Sequence, residues 1–227
     1  MYFDYYYLVL VVPALLLSLF AQILVKSTFA KYSRIRCSRN ITGTDAAAFL
    51  LKSNGIRDVR IEGVAGSLTD HYDPGSKVLR LSRPVYAQPT IAAVGVAAHE
   101  TGHAIQHAVS WPPLALRSAL VPVANIGSSA GPLLAVAGIV LSFPLLINLG
   151  IILFGAGVLF YVVTLPVEFN ASARALAILR SNNVLTPEEL RGVRKVLTAA
   201  ALTYVASALT AIMSLVRLVL ISRGRRR

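Results

Sequence analysis

Cysteine is nearly absent from this sequence, since Cys37 is the only one among 227 residues. A single cysteine excludes an intrachain disulfide and is compatible with a reducing compartment. Acidic residues are also scarce, with ten Asp and Glu against 22 Lys and Arg, which gives a net charge of +12. Such a charge can indicate nucleic-acid binding. Here the basic residues flank apolar runs, as they do in cytosolic loops of membrane proteins, so we expect no nucleic-acid partner.

Charge is missing from long apolar stretches, and 56% of all residues are hydrophobic. No charged residue lies between Arg117 and Glu168, a stretch too long for one helix. Because about 20 apolar residues span a bilayer core, we predict a multi-pass cell-membrane protein. Its predicted parts are a first span within 1–25, a cytosolic domain over 26–117, a transmembrane hairpin over 118–166, cytosolic helices over 167–196, a fourth span over 197–222 and a basic tail over 223–227.

Basic residues predict the orientation of these spans. A cluster follows the first span, at Lys26, Lys31, Arg34, Arg36 and Arg39. By the positive-inside rule, the N-terminus lies outside and the domain over 26–117 lies in the cytosol. The basic tail would then lie outside, against the rule, if the fourth apolar run crossed the membrane. That run therefore either spans the bilayer or lies against its surface.

The predicted cytosolic domain has a short pattern of mixed helices and strands. The segment DAAAFLLKSN predicts a helix capped by Thr44 or Asp45. RDVRIEGV alternates like a strand, and SLTDHY and KVLRLS predict a hairpin around the turn DPGS. A longer helix is predicted to begin at Pro89 or Thr90 and to run to about Val109.

The longer helix contains AHETGHAIQH, which holds three of the four histidines of the chain. His99 and His103 are four residues apart and share one helix face, from which two imidazoles can bind one Zn²⁺. Glu100 is positioned to hold a water molecule and take its proton. We therefore predict one catalytic zinc ion. The alternative is a polar helix face that matches the motif by chance.

A catalytic zinc ion needs a third protein ligand. The Cα atom of His107 lies about 12 Å from that of His99 on a straight helix, so we expect His107 to support the site or lie on the surface. Glu168 ends the uncharged hairpin, where a carboxylate is costly unless it is paired or metal-bound. We prefer Glu168 as the ligand, and the alternative is an interface residue that faces solvent or pairs with Arg174. Ser172, one turn later, is a candidate to orient a ligand histidine.

The sequence HETGH, followed by a membrane hairpin and EFNAS, resembles the YugP-like membrane zinc metallopeptidases, and more distantly the HtpX heat-shock and CaaX prenyl proteases. The resemblance covers most of the chain. It implies an α-helical polytopic membrane protein with a small α+β zincin-like cytosolic domain. It also implies His99, His103 and Glu168 as zinc ligands and Glu100 as the catalytic base. Ser172 stands where the distant relatives carry aspartate, so the groups around the ligands remain open.

These features predict a membrane-anchored zinc endopeptidase that acts on proteins or peptides at the cytosolic membrane surface. One strand of the hairpin could pair with an extended substrate. The candidates for stabilising the oxyanion are His71, Tyr72, Tyr86 and Arg174, and the sequence does not choose among them. One alternative is an intramembrane zinc protease, although the apolar stretch before the motif is shorter than a span. Another is a non-catalytic scaffold or chaperone-like adaptor. The oligomeric state stays open.

Overall fold

The computed structural model describes residues 5–224. The first residues of the predicted first span (1–4) and most of the basic tail (225–227) therefore lie outside the described residues. The structure is mostly helical with one small mixed sheet. A π-helical turn, Tyr7–Val11, leads into α1. The helices are α1 (Val12–Tyr32), α2 (Gly43–Ser53), α3 (Arg83–Ala87), α4 (Ile91–Ala108), α5 (Pro112–Val140), α6 (Pro144–Ser181) and α7 (Pro187–Gly224). The strands are β1 (Arg60–Val64), β2 (His71–Asp73) and β3 (Val78–Ser82).

Among the described residues, four helical segments are long and apolar enough to cross a membrane, as the sequence predicts: Tyr7–Tyr32, α5, α6 and α7. A short turn at 141–143 separates α5 from α6, within the predicted hairpin over 118–166. Helix α6 continues without a break past Glu168 to Ser181, as the small and apolar residues after the third span predict. Helix α7 is longer than predicted, because it joins the predicted fourth run to the short helix before it.

The chain forms two compact units. A helical unit consists of the described parts of Met1–Gln22, Ala115–Pro166 and Leu202–Arg227, and a mixed unit consists of Ile23–Leu114 and Val167–Ala201. Within the helical unit, glycine allows α5 and α6 to approach closely, because a Cβ atom on Gly131 would lie 2.6 Å from the backbone nitrogen of Phe154. Small residues commonly mediate this kind of contact between membrane helices.

The sheet of the mixed unit has the strand order β1-β3-β2. The central strand β3 pairs in parallel with β1 and antiparallel with β2, so that Leu79 lies opposite both Ile61 and Tyr72. The turn between β2 and β3 is closed by Asp73, whose Oδ1 accepts a hydrogen bond from the Gly75 backbone at 2.9 Å. The predicted hairpin is therefore confirmed, and β2 lies at an edge of the sheet.

Helices α2 and α4 of this unit each begin at a capping threonine. Thr90 Oγ1 accepts a hydrogen bond from the Ala93 backbone at the start of α4, as predicted. For α2 the predicted cap, Thr44 or Asp45, is wrong, because Thr42 is the cap and Asp45 lies three residues later in a reciprocal capping box. Between them Gly43 starts the helix, in a position where a Cβ atom would overlap the carbonyl oxygen of Val85.

The core of the mixed unit joins five of its helices to the sheet. Its fully buried members come from α2, β3, α3, α4, α6 and α7, and include Leu50, Leu79, Val94, Leu179 and Val193. Burying each such side chain contributes about 1.5–3 kcal/mol. This packing holds α4 beside the part of α6 that starts at Val167, and thereby determines the geometry of the histidine motif.

Candidate metal centre

Two histidines of α4 converge on one carboxylate of α6. The Oε2 atom of Glu168 lies 3.2 Å from Nε2 of His99 and 3.5 Å from Nε2 of His103. The candidate ligand atoms all lie within 4.8 Å of one another. Tetrahedral ligands about 2.1 Å from a zinc ion are about 3.4 Å apart. The two nitrogens and the carboxylate therefore fit a zinc ion by both spacing and chemical type.

The cluster is largely shielded from solvent. Glu168 is 2% exposed, and His103 and Glu100 are each 8% exposed. A carboxylate at this depth requires a compensating positive charge. Without metal, a proton on histidine supplies one: burial lowers the pKa of His103, but its hydrogen bond to Glu168 and the nearby acidic charges outweigh burial and raise it. A bound cation would supply the same compensation.

A glycine makes the approach of the two helices possible. A Cβ atom on Gly102 would lie 2.6 Å from the backbone oxygen of Ala171 and 3.1 Å from its Cα. Any larger residue at position 102 would push α4 away from α6. Gly102 thus has a geometric role in the motif, since it keeps Glu168 within reach of the two histidines.

Each histidine is also held through its other ring nitrogen. Ser172 Oγ lies 3.1 Å from Nδ1 of His99, in the position expected for an orienting residue. Gln106 Oε1 lies 3.0 Å from Nδ1 of His103. Hydrogen bonds at Nδ1 hold the orientation of each ring and leave Nε2 available to a metal ion.

The contacts of Gln106 determine which tautomer His103 adopts. Gln106 is fully buried, and its Nε2 donates to the carbonyl oxygen of Val167 at 2.8 Å and to Oδ1 of Asn170 at 3.0 Å. The carbonyl oxygen can only accept, so the amide nitrogen of Gln106 must face it and the amide oxygen must face His103. Neutral His103 therefore donates from Nδ1 and keeps its lone pair on Nε2, the atom that lies 3.5 Å from Glu168 Oε2.

The remaining predicted site residues make contacts of other kinds. His107 Nδ1 lies 2.8 Å from the hydroxyl of Tyr72. His71 is exposed, and its Nδ1 lies 2.9 Å from the carbonyl oxygen of Thr69. Arg174 does not appear as the ion-pair partner of Glu168, the alternative left open by the sequence. Its Nε instead donates to Oδ1 of Asn170 at 2.8 Å.

Tyr86, the last candidate for the oxyanion, contributes a backbone contact: its carbonyl oxygen accepts a hydrogen bond from the hydroxyl of Thr44 at 2.8 Å. Its ring lies over Gly63, where a Cβ atom would meet ring carbon Cδ2 at 3.6 Å. Tyr86 therefore joins α3 to α2 and β1 through these contacts. A structural role accounts for its position.

A partly buried aspartate near Glu100, Asp70, was not among the predicted residues. The carboxylate of Asp70 accepts hydrogen bonds from the backbone and the hydroxyl of Ser82, at 2.7 and 2.9 Å. Burial raises the pKa of Asp70, and the negative charge of Glu100 raises it further. The start of β2 therefore lies close enough to Glu100 for their charges to interact. No local sequence pattern indicates this pair, which depends on the packing of the sheet against α4.

Comparison with known proteins identifies the family. A family model described as "Putative neutral zinc metallopeptidase" matches residues 7–223. The chain belongs to this family. A curated member of this type, "Putative membrane protease YugP" of Bacillus subtilis (strain 168), is 50% identical over 215 residues, which cover 95% of this chain and 96% of the relative. The predicted resemblance to YugP-like metallopeptidases is thus confirmed. No solved structure matches the chain.

Proposed function

We propose that this metallopeptidase-family protein is a membrane-anchored zinc endopeptidase, in which His99, His103 and Glu168 bind one catalytic zinc ion. The observation that carries the proposal is the convergence of both Nε2 atoms on Glu168 Oε2, at 3.2 and 3.5 Å. A zinc ion would supply Lewis-acid polarisation of a water molecule and of a peptide carbonyl. The family match and the similarity to a membrane protease support the same reaction class.

Glu100 is the proposed general base. It directly follows His99 on α4 and is nearly buried, so its carboxylate is confined to the neighbourhood of the ligand histidines. Glu100 would take a proton from the water that attacks the peptide carbonyl and pass it to the nitrogen of the leaving amine. General acid-base catalysis of this kind typically contributes about 10²–10⁴-fold in rate.

The edge strand β2 is the proposed docking site for an extended substrate segment. Its only strand partner within the described residues is β3, so its other edge can accept main-chain hydrogen bonds from a peptide. Asp70, just before β2, interacts electrostatically with Glu100, which supports a position of this strand near the site of hydrolysis. We propose a cytosolic site at the membrane surface, with membrane or membrane-associated proteins as substrates.

The test compares cells that carry the wild-type protein with cells that carry Glu100→Gln. Mass spectrometry of new protein N-termini in the membrane fraction should reveal cleavage products that depend on Glu100. An exposed carboxylate gives the matched control, since Glu188→Gln removes a charge outside the metal centre and should leave the products unchanged. Identical products from wild type and Glu100→Gln would contradict the proposed reaction.

A further inference from the structure

A groove in the mixed unit lies between the end of α1 and the beginning of α7, separate from the metal centre. Its volume is about 380 Å³. Three cationic side chains line it, Lys31 from α1 and Arg194 and Lys195 from α7, and none of the described residues that line it is acidic. All three cations are exposed to solvent. The groove is therefore a site of concentrated positive charge.

The side chains that line the groove change from charged to apolar along its length, and the change has the same direction on α1 and on α7. On α1, Leu24, Thr28 and Lys31 follow one another on one face at spacings of four and three residues, over about 10 Å. Helix α7 runs the opposite way, because Ser18 contacts Thr210 and Tyr32 lies against Gly192. On α7, Lys195 comes first, followed by Thr198. The groove thus passes from cations to hydroxyls to apolar side chains.

The aromatic ring of Tyr32 packs at the basic end of the groove. Tyr32 is buried, and a Cβ atom on Gly192 of α7 would lie 2.8 Å from its Cε1, so the two helices approach closely at this ring. The Nζ atom of Lys31 lies 5.8 Å from the centroid of the same ring. The charge of Lys31 therefore lies beside this ring and remains exposed to solvent.

We propose that this groove binds one anionic glycerophospholipid. The lipid phosphate would pair with the three cations, the glycerol esters would meet Thr28 and Thr198, and an acyl chain would follow Leu24 into the bilayer. Both helices are candidate membrane spans, and basic pockets between such helices on the cytosolic side suit anionic headgroups. A free phosphate ion would contact only the cations, whereas a lipid would also contact the hydroxyl and apolar side chains of the groove.

The test is thermal unfolding of the full-length protein in neutral detergent micelles supplemented with phosphatidylglycerol, phosphatidylcholine or soluble glycerol phosphate. A ligand that binds only the folded state raises the unfolding midpoint. We expect phosphatidylglycerol to raise it by about 3 °C or more, and the other two additives to raise it by less than half as much.

Two matched double variants locate the effect. Lys31→Gln with Arg194→Gln should lose at least half of the rise caused by phosphatidylglycerol. Lys52→Gln with Arg57→Gln removes the same two charge types from exposed positions outside the groove and should keep the rise. The proposal is overturned if the lipids act equally, if glycerol phosphate alone reproduces the rise, or if both double variants lose it equally.

Discussion

Gln106 Oε1 accepts a hydrogen bond from His103 Nδ1 at 3.0 Å, and the opposite end of the same amide is held by α6. Gln106→Leu removes this acceptor while keeping a side chain of similar size. We expect zinc affinity to fall by about 10–100-fold, as is typical for the loss of a group that orients a metal ligand. Competition with a chromogenic chelator measures the affinity. Gln88→Leu, at an exposed position, is the control and should bind zinc normally.

Gly102 and Ala171 form the contact that places α4 against α6. Gly102→Ala introduces a Cβ atom 2.6 Å from a backbone oxygen, so the helices must separate. Overpacking of this kind costs about 1–3 kcal/mol of the free energy of unfolding, and the separation should also weaken zinc binding. Thermal unfolding in detergent gives the first quantity. Gly63→Ala, whose Cβ atom meets Tyr86 at an ordinary 3.6 Å, should lose much less stability.

The raised pKa of His103 predicts how the metal-free protein responds to pH. Below the ordinary histidine value, His103 is protonated in the folded and unfolded states alike, and the ion pair with Glu168 stabilises the fold fully. As the pH rises through the higher folded-state pKa, the proton and this stabilisation are lost. The unfolding midpoint of the chelator-treated protein should therefore fall between about pH 6 and 8.

Two histidine variants test whether His103 causes this pH dependence of the unfolding midpoint. His103→Gln should flatten the slope, whereas His71→Gln, which changes an exposed histidine of β2, should keep it. Adding zinc should restore stability most strongly at the upper end of the pH range, because protons then compete least for the ligand nitrogen. A midpoint that rises with pH in the metal-free wild type would contradict the proposed His103–Glu168 ion pair.

Tyr72 is expected to support His107 and not to ionise. Burial, together with the charges of Asp58 and Asp73, raises the pKa of Tyr72 to about 12. The hydroxyl is thus neutral near pH 7 and remains paired with His107 at 2.8 Å. Tyr72→Phe leaves the histidine without this partner and should cost about 0.5–1.5 kcal/mol of the free energy of unfolding. Denaturant unfolding measures the loss, and zinc content should stay unchanged.

The sequence was sufficient to predict the features that depend on local spacing. His99 and His103 lie one helical turn apart, and an isolated carboxylate after fifty uncharged residues drew attention to Glu168. The role of Gln106 was missed, although its position three residues after His103 places both on one helix face. The role of Gln106 depends on its hydrogen bond to the carbonyl oxygen of Val167, which is 61 residues away. Helical periodicity does not predict a contact between residues so far apart in the sequence.

The helix boundaries that were predicted wrongly or not at all also depend on features beyond local spacing. Thr44 is a good capping residue, but the packing of Gly43 against Val85 allows α2 to begin earlier, at Thr42. The sequence also gave no indication of the short helix α3, which Pro84 helps to start immediately after β3. For α2, a tertiary contact decides between two possible capping residues.

The zinc content of purified variants tests the central claim most directly. Inductively coupled plasma mass spectrometry should find about one zinc ion per chain in the wild type and in Glu100→Gln. Glu168→Gln keeps the size of the side chain but removes the charge that His99 and His103 face, and should retain little zinc under the same purification. One zinc ion per chain in Glu168→Gln, held as tightly as in the wild type, would contradict the proposed ligand set.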